Sequence, residues 1–81
     1  MNVKLSSLNP GDKAVIVRIN GKGAIARRIA DMGLIPGTEI KVVRKAPLGD
    51  PIEFEVRGYY LSLRKNEADI VLVKVKEYDS L

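Results

Sequence analysis

The chain of 81 residues has no cysteine, no histidine and no tryptophan. Without cysteine there is no disulfide, no thiolate nucleophile and no sulfur ligand for zinc or another soft metal. Without histidine the usual general base near neutral pH is gone, and with it the commonest transition-metal ligand; only carboxylates, thioethers and backbone oxygens remain for metal chemistry. An iron or zinc site of ordinary design within one chain is therefore not expected, and neither a metal nor a cofactor is assigned. Aromatic residues are scarce: Phe54, Tyr59, Tyr60 and Tyr78 are all there are. Single-stranded nucleic acid is usually held on stacking aromatics. Tyr59 and Tyr60, adjacent in a strand, should face opposite ways, so at most one is expected to be displayed outward. Long apolar runs are also missing. Nothing approaches the ~20 apolar residues of a membrane span, and the start, Met1-Asn2-Val3-Lys4-Leu5, has no long apolar run. The expectation is a soluble cytoplasmic protein, without membrane insertion, forming a single domain over 1-81 around one core.

Charge is present in both signs. Fourteen Lys and Arg against ten Asp and Glu give +4, which raises the prospect of an acidic partner or nucleic acid. The cations are spread along the chain and interleaved with Asp12, Asp31, Glu39, Asp50, Glu53, Glu55 and Glu67, as on an ordinary mixed surface.

One stretch is helical by pattern. From about Ala24 to Met32, Ile25, Ile29 and Met32 recur at helical spacing among good helix formers, and are expected to be core. Gly33 stands where a left-handed cap is needed, and Pro36-Gly37 fits the centre of a type II turn. The remainder reads as short strands: Ala14 to Ile19, Glu39 to Lys45, Ile52 to Val56, Tyr59 to Leu63 and Ile70 to Val75. In the first, the wholly apolar side is Val15, Val17 and Ile19, opposite Ala14, Ile16 and Arg18. In the third, Ile52, Phe54 and Val56 face in, while Glu53 and Glu55 face out. Arg57-Gly58 marks a hairpin, Arg64 to Asp69 a tight polar connection, and Lys76 to Leu81 a loose tail. Five short strands in so small a chain point to a mainly β fold, a small closed or nearly closed barrel whose closure hides the edges, with one helix inserted between strands 1 and 2. Leu8-Asn9-Pro10-Gly11 and Leu34-Ile35-Pro36-Gly37 use the same turn chemistry twice.

Few motifs carry chemistry. Gly21-Lys22-Gly23-Ala24-Ile25-Ala26 matches Gly-x-Gly-x-x-Ala, whose glycines let a backbone approach a pyrophosphate at a helix N-terminus. No parallel βαβ unit follows, and Lys41 stands where the ribose-binding acid belongs, so the stretch reads as a turn into a helix. Glu53 and Glu55 share a solvated strand face. Nucleophile, base and oxyanion partner cannot be named together, so no enzymatic activity is expected. Gly11-Asp12, the strand after it and Gly21-Lys22-Gly23 are similar to small barrel modules that bind ribosomal RNA, which is the rival reading; the shortage of aromatics counts against it.

Four segments in order do add up. Leu5-x-x-Leu8-x-Pro10-Gly11, Arg27-Arg28-Ile29-Ala30-Asp31-Met32-Gly33-Leu34-x-Pro36-Gly37, Pro47-Leu48-Gly49-Asp50-Pro51 and Leu63-Arg64-x-x-Glu67-Ala68 together resemble the ferrous iron transport protein A (FeoA) family, from Leu5 to about Val73. The one departure is Ile29 where leucine is usual. The resemblance implies an SH3-like barrel with an inserted helix, a non-enzymatic module docking on the FeoB-type ferrous iron transporter at its cytosolic GTP-binding part. It also implies likeness to the C-terminal, metal-responsive module of iron-dependent repressors, and weak self-association is left open. Candidate partner contacts are Leu48 and Asp50 in the proline-bracketed loop, and Arg27, Arg28 and Asp31 on the polar side of the helix. No nucleic acid is expected as a partner.

Overall fold

The structure, a computed structural model, describes residues 2–76. In chain order the elements are β1 (Asn2–Lys4), a 3-10 turn (Leu5–Ser7), β2 (Lys13–Ile19), α1 (Ala24–Asp31), β3 (Glu39–Lys45), β4 (Ile52–Val56), β5 (Tyr59–Leu63), α2 (Lys65–Ala68) and β6 (Val71–Val75). The strands form one sheet in the order β1-β6-β2-β3-β4-β5, and every pairing is antiparallel. The sheet bends about one core, to which Leu5, Ala14, Ile16, Ile29, Leu34, Val42, Phe54, Leu63 and Val73 all contribute. Burying Phe54 or any of its larger aliphatic neighbours stabilises the fold by about 1.5–3 kcal/mol each.

The mainly β architecture and the inserted helix are as the sequence indicates, with six strands in place of five. The additional strand is β1, which pairs with β6 through Asn2↔Lys74, Val3↔Val73 and Lys4↔Leu72. Three residues carry no readable period, so only the partner strand defines it. Consequently α1 lies between the second and third strands. The connection from Arg64 to Asp69 contains α2, a single turn of polar residues with one alanine. Among the described residues no pairing joins β1 to β5, so these two are sheet edges. The tail expected to be loose lies, apart from Lys76, outside the described residues, as does Tyr78.

In β2 the inward face is the reverse of the wholly apolar one. Ala14 and Ile16 are buried, whereas Val15, Val17 and Ile19 are half-buried. Alternation defines two faces without saying which turns inward. Here the neighbours decide, because Ala14 sits opposite Ile40 on one side and Ile16 opposite Val73 on the other, and both partners are core residues. In β4 the inward Ile52, Phe54 and Val56 match the pattern.

The repeated Pro-Gly device has a structural reason. Both copies are type II turns: Asp12 N–H donates to Asn9 O at 2.9 Å and Thr38 N–H to Ile35 O at 3.1 Å, with Gly11 and Gly37 at φ 94° and 90°. Each turn delivers one strand of the β2–β3 pair and is stitched to the other. Gly11 N–H donates to Val42 O (2.8 Å), and Gly37 N–H donates to Ile16 O (2.8 Å). The device therefore locks both ends of one ladder.

Candidate functional site

The helix α1 follows Gly21-Lys22-Gly23 and ends as its sequence demands. Gly33 N–H donates to Ala30 O and Leu34 N–H to Ile29 O, with Gly33 at φ 92°, the two bonds of a Schellman cap. Since α1 joins two adjacent antiparallel strands, the glycine pair opens no dinucleotide-binding βαβ unit. Only the C-terminal half of α1 enters the core. Ile29 is fully buried and Met32 packs against the core, but Ile25, expected inside, is 47% exposed. Tyr59 fixes the far end of the helix by donating its hydroxyl to Met32 O at 2.6 Å.

The five candidate contacts divide into two groups. Arg28 pairs with Glu67 on α2, whose side chain is only 8% exposed. The other oxygen of Glu67 accepts Arg64 N–H at 2.7 Å, capping α2 from within. Asp50 Oδ1 accepts Lys65 N–H at 3.0 Å, so the proline-bracketed loop is tied to the same turn. On its other side α2 is held by Ser6, which donates to Asp69, while Lys45 donates to Ser6 O at 3.2 Å. Arg28 and Asp50 thus meet at α2 and brace the structure. Beside them is a shallow depression of about 250 Å³ lined by Arg28, Pro51, Ser62, Leu63, Arg64 and Glu67.

Arg27, Asp31 and Leu48 remain outward. Arg27 and Asp31 are exposed one turn apart on α1, and Leu48 is 96% exposed at the tip of a turn closed by Gly49 N–H donating to Ala46 O at 2.7 Å. A leucine this exposed gains nothing for the fold.

Arg64 and Glu67 stand in one of the four segments that carry the resemblance, but the sequence assigns neither a role. Glu67 reads as one more surface carboxylate, and the signal for it, a glutamate three residues after Arg64 at the start of a turn, is half of a capping box. At most one of Tyr59 and Tyr60 is expected outward from the alternation of the strand, yet both are exposed, at 42% and 62%, because β5 is an edge where even the inward side chain reaches the rim.

A second depression, of about 370 Å³, is lined by Lys13, Glu39, Lys41, Glu55, Arg57 and their neighbours. There Glu39 is held below the usual carboxylate range, first by the hydrogen bond from Lys76, then by that ammonium's charge and that of Lys13. Among the described residues no three carboxylates converge as a metal would require.

A small bent antiparallel sheet of SH3 type, with one helix inserted between β2 and β3, defines the class. The chain belongs to the FeoA domain family, whose model matches residues 3–75. It is 42% identical over 73 residues to a Fe(2+) transport protein A/Fe(2+) transporter FeoB fusion protein of Porphyromonas gingivalis, covering 90% of this chain but only 9% of the fusion. Among solved structures it is similar to a FeoA-like protein of Clostridium acetobutylicum, at TM-score 0.89 and 40% identity over 99% of this chain and 93% of that one. It is similar also to Stenotrophomonas maltophilia FeoA, a prokaryotic SH3 domain protein solved with zinc, at TM-score 0.78 and 33% identity over 91% and 89% of the two chains. A manganese-dependent transcriptional repressor, 17% identical at TM-score 0.84, shares the fold over 93% of this chain and 41% of its own. Among the described residues no helix is long and apolar enough to cross a membrane.

Proposed function

We propose that this chain serves ferrous iron transport as a cytoplasmic, non-enzymatic module that docks on the cytosolic GTP-binding part of a FeoB-type transporter. The observation that carries the reading is the Porphyromonas gingivalis relative, in which a FeoA region and a FeoB transporter are one polypeptide. Covalent fusion holds two partners at high effective concentration, an arrangement that suits modules working in contact. The separate chain must then supply by affinity what the fusion supplies by linkage.

Its docking surface is the outward set, Leu48, Arg27 and Asp31, with Arg28 and Asp50 holding the loop and the helix in place through α2. Leu48 acts as the apolar anchor, and the two charges of α1 set orientation. The test is titration calorimetry with the cytosolic part of FeoB against the natural chain, Leu48→Asp, and Arg27→Glu. Removing a central anchor should weaken binding at least about tenfold for Leu48→Asp, and reversing a rim charge about threefold for Arg27→Glu. Unchanged affinity in both variants overturns the surface, and no binding by the natural chain overturns the docking. Arg28→Glu is unsuitable, because it would set two acids together at buried Glu67 and report on folding instead.

A further inference from the structure

The two sheet edges differ in how they are defended. Edges normally carry charge, proline or brevity to avoid pairing with other chains. The β1 edge has three residues and a lysine. The β5 edge has five, Tyr59-Tyr60-Leu61-Ser62-Leu63, with neither charge nor proline.

Its backbone groups can be sorted. Arg57 and Gly58, at φ 51° and 84°, form the two-residue hairpin turn with both centres left-handed, so Val56 and Tyr59 are its closing hydrogen-bonded pair. Hydrogen-bonded pairs alternate along an antiparallel ladder. Leu61 opposite Phe54 and Leu63 opposite Ile52 therefore also bond to β4, and Tyr60 and Ser62 turn their N–H and C=O groups outward. Both residues are exposed, and among the described residues no strand lies beyond them.

The ends of this strand are strongly cationic. Arg57 precedes it and Arg64 and Lys65 follow it, all exposed, with Arg28 at 62% side-chain exposure beside the second end. Of the acids nearby, Glu67 pairs with Arg28 and, on β4, Glu53 with Arg44 at 2.8 Å; Asp50 accepts Lys65 N–H at 3.0 Å, and Glu55 sits opposite Lys41. A second copy of this chain fits poorly. In the antiparallel register that overlaps β5 fully, centred on Leu61, Arg57 of each copy meets Arg64 and Lys65 of the other, a like-charge contact made twice. An extended segment with acids at both ends meets the same positions favourably.

We propose that the β5 edge binds an extended segment of a partner protein as an added antiparallel strand, with an uncharged centre and acidic residues flanking it. The Tyr60 and Ser62 backbones supply the hydrogen bonds, and Arg57 at one end and Arg64 and Lys65 at the other select the flanks. The proposal does not depend on the FeoB reading.

The probe is the labelled peptide Asp-Glu-Thr-Val-Thr-Val-Thr-Glu-Asp, followed by fluorescence anisotropy and by amide exchange of the protein. Binding should slow exchange at Tyr60 and Ser62 while leaving Leu61 as it was. Ser62→Pro deletes an outward N–H without touching the β4 ladder and should weaken binding about tenfold, the equivalent of one good hydrogen bond; Ser62→Ala, which keeps that N–H, should bind as the natural chain does. Should Ser62→Pro melt early, the double change Arg64→Glu, Lys65→Glu serves instead, and it should abolish the preference for acidic over lysine flanks, since Arg57 still favours an acid at its own end. The proposal is overturned if the acidic- and lysine-flanked peptides bind alike. It is equally overturned if exchange slows elsewhere, or if Tyr60 and Ser62 become protected on concentrating the protein alone, the sign of a second copy.

Discussion

The two α-helices among the described residues are opposites. The longer, α1, is announced by its apolar spacing and its glycine cap, yet buries one residue completely, Ile29. The shorter, α2, is four residues, Lys-Asn-Glu-Ala, without apolar period, yet buries two of them, Glu67 and Ala68. One helix is held by hydrophobic contact through half its length. The other is held by polar bonds: Arg28 and Arg64 N–H on Glu67, Asp50 on Lys65 N–H, and Ser6 on Asp69. A short helix below the length that is stable alone needs such partners, since nucleating a turn costs more than its own hydrogen bonds return. The lesson is that amphipathic pattern locates a helix and says little about how much of it is core.

That contrast can be tested by what each helix loses on truncation. Ile29→Ala should be the most damaging change, costing about 3 kcal/mol as a fully buried aliphatic side chain, while Ile25→Ala one turn earlier should stay within about 0.5 kcal/mol; urea unfolding measures both. Equal losses would mean that the first turn of α1 packs inward in solution. Glu67→Ala should cost about 2 kcal/mol, from the lost cap and the lost charge-assisted bond, with α2 amides exchanging faster than those of α1. A loss as small as that of an ordinary surface glutamate would show that α2 is held by Ala68 alone. The smallest effect belongs to the exposed pair of Glu39 and Lys76. With its carboxyl depressed in the folded state, Glu39 favours folding at pH above its ordinary value of 4.5, a contribution lost as pH falls through the lowered one. Lys76→Ala should therefore raise the Glu39 midpoint in an NMR titration, and concentrated salt should raise it part of the way.

Much of the fold is legible in the residues. Pro10-Gly11 and Pro36-Gly37 prescribe type II turns, Gly33 a helix exit, Arg57-Gly58 a hairpin, and Ile52, Phe54 and Val56 an inward face. The misses share a cause. Strand β1 and helix α2 are too short to carry a period, and β2 offers two nearly equivalent apolar faces, so each was settled by what it packs against. The candidate contacts divide the same way. That Leu48 lies at a loop tip follows from Pro47 and Pro51 around it. That Arg28 and Asp50 are spent on α2 follows only from bringing together residues 39 and 15 positions apart.

By itself, then, the sequence determined the turns, the strand count to within one and the type of fold, because these depend on local backbone preference and on alternation between neighbours in the chain. Tertiary structure alone decided which face of β2 turned inward, which cations were engaged, and that β5 was left as an uncharged edge between Arg57 and Arg64. Those outcomes rest on pairing between distant segments, where each partner's choice of face or hydrogen bond is fixed by the other.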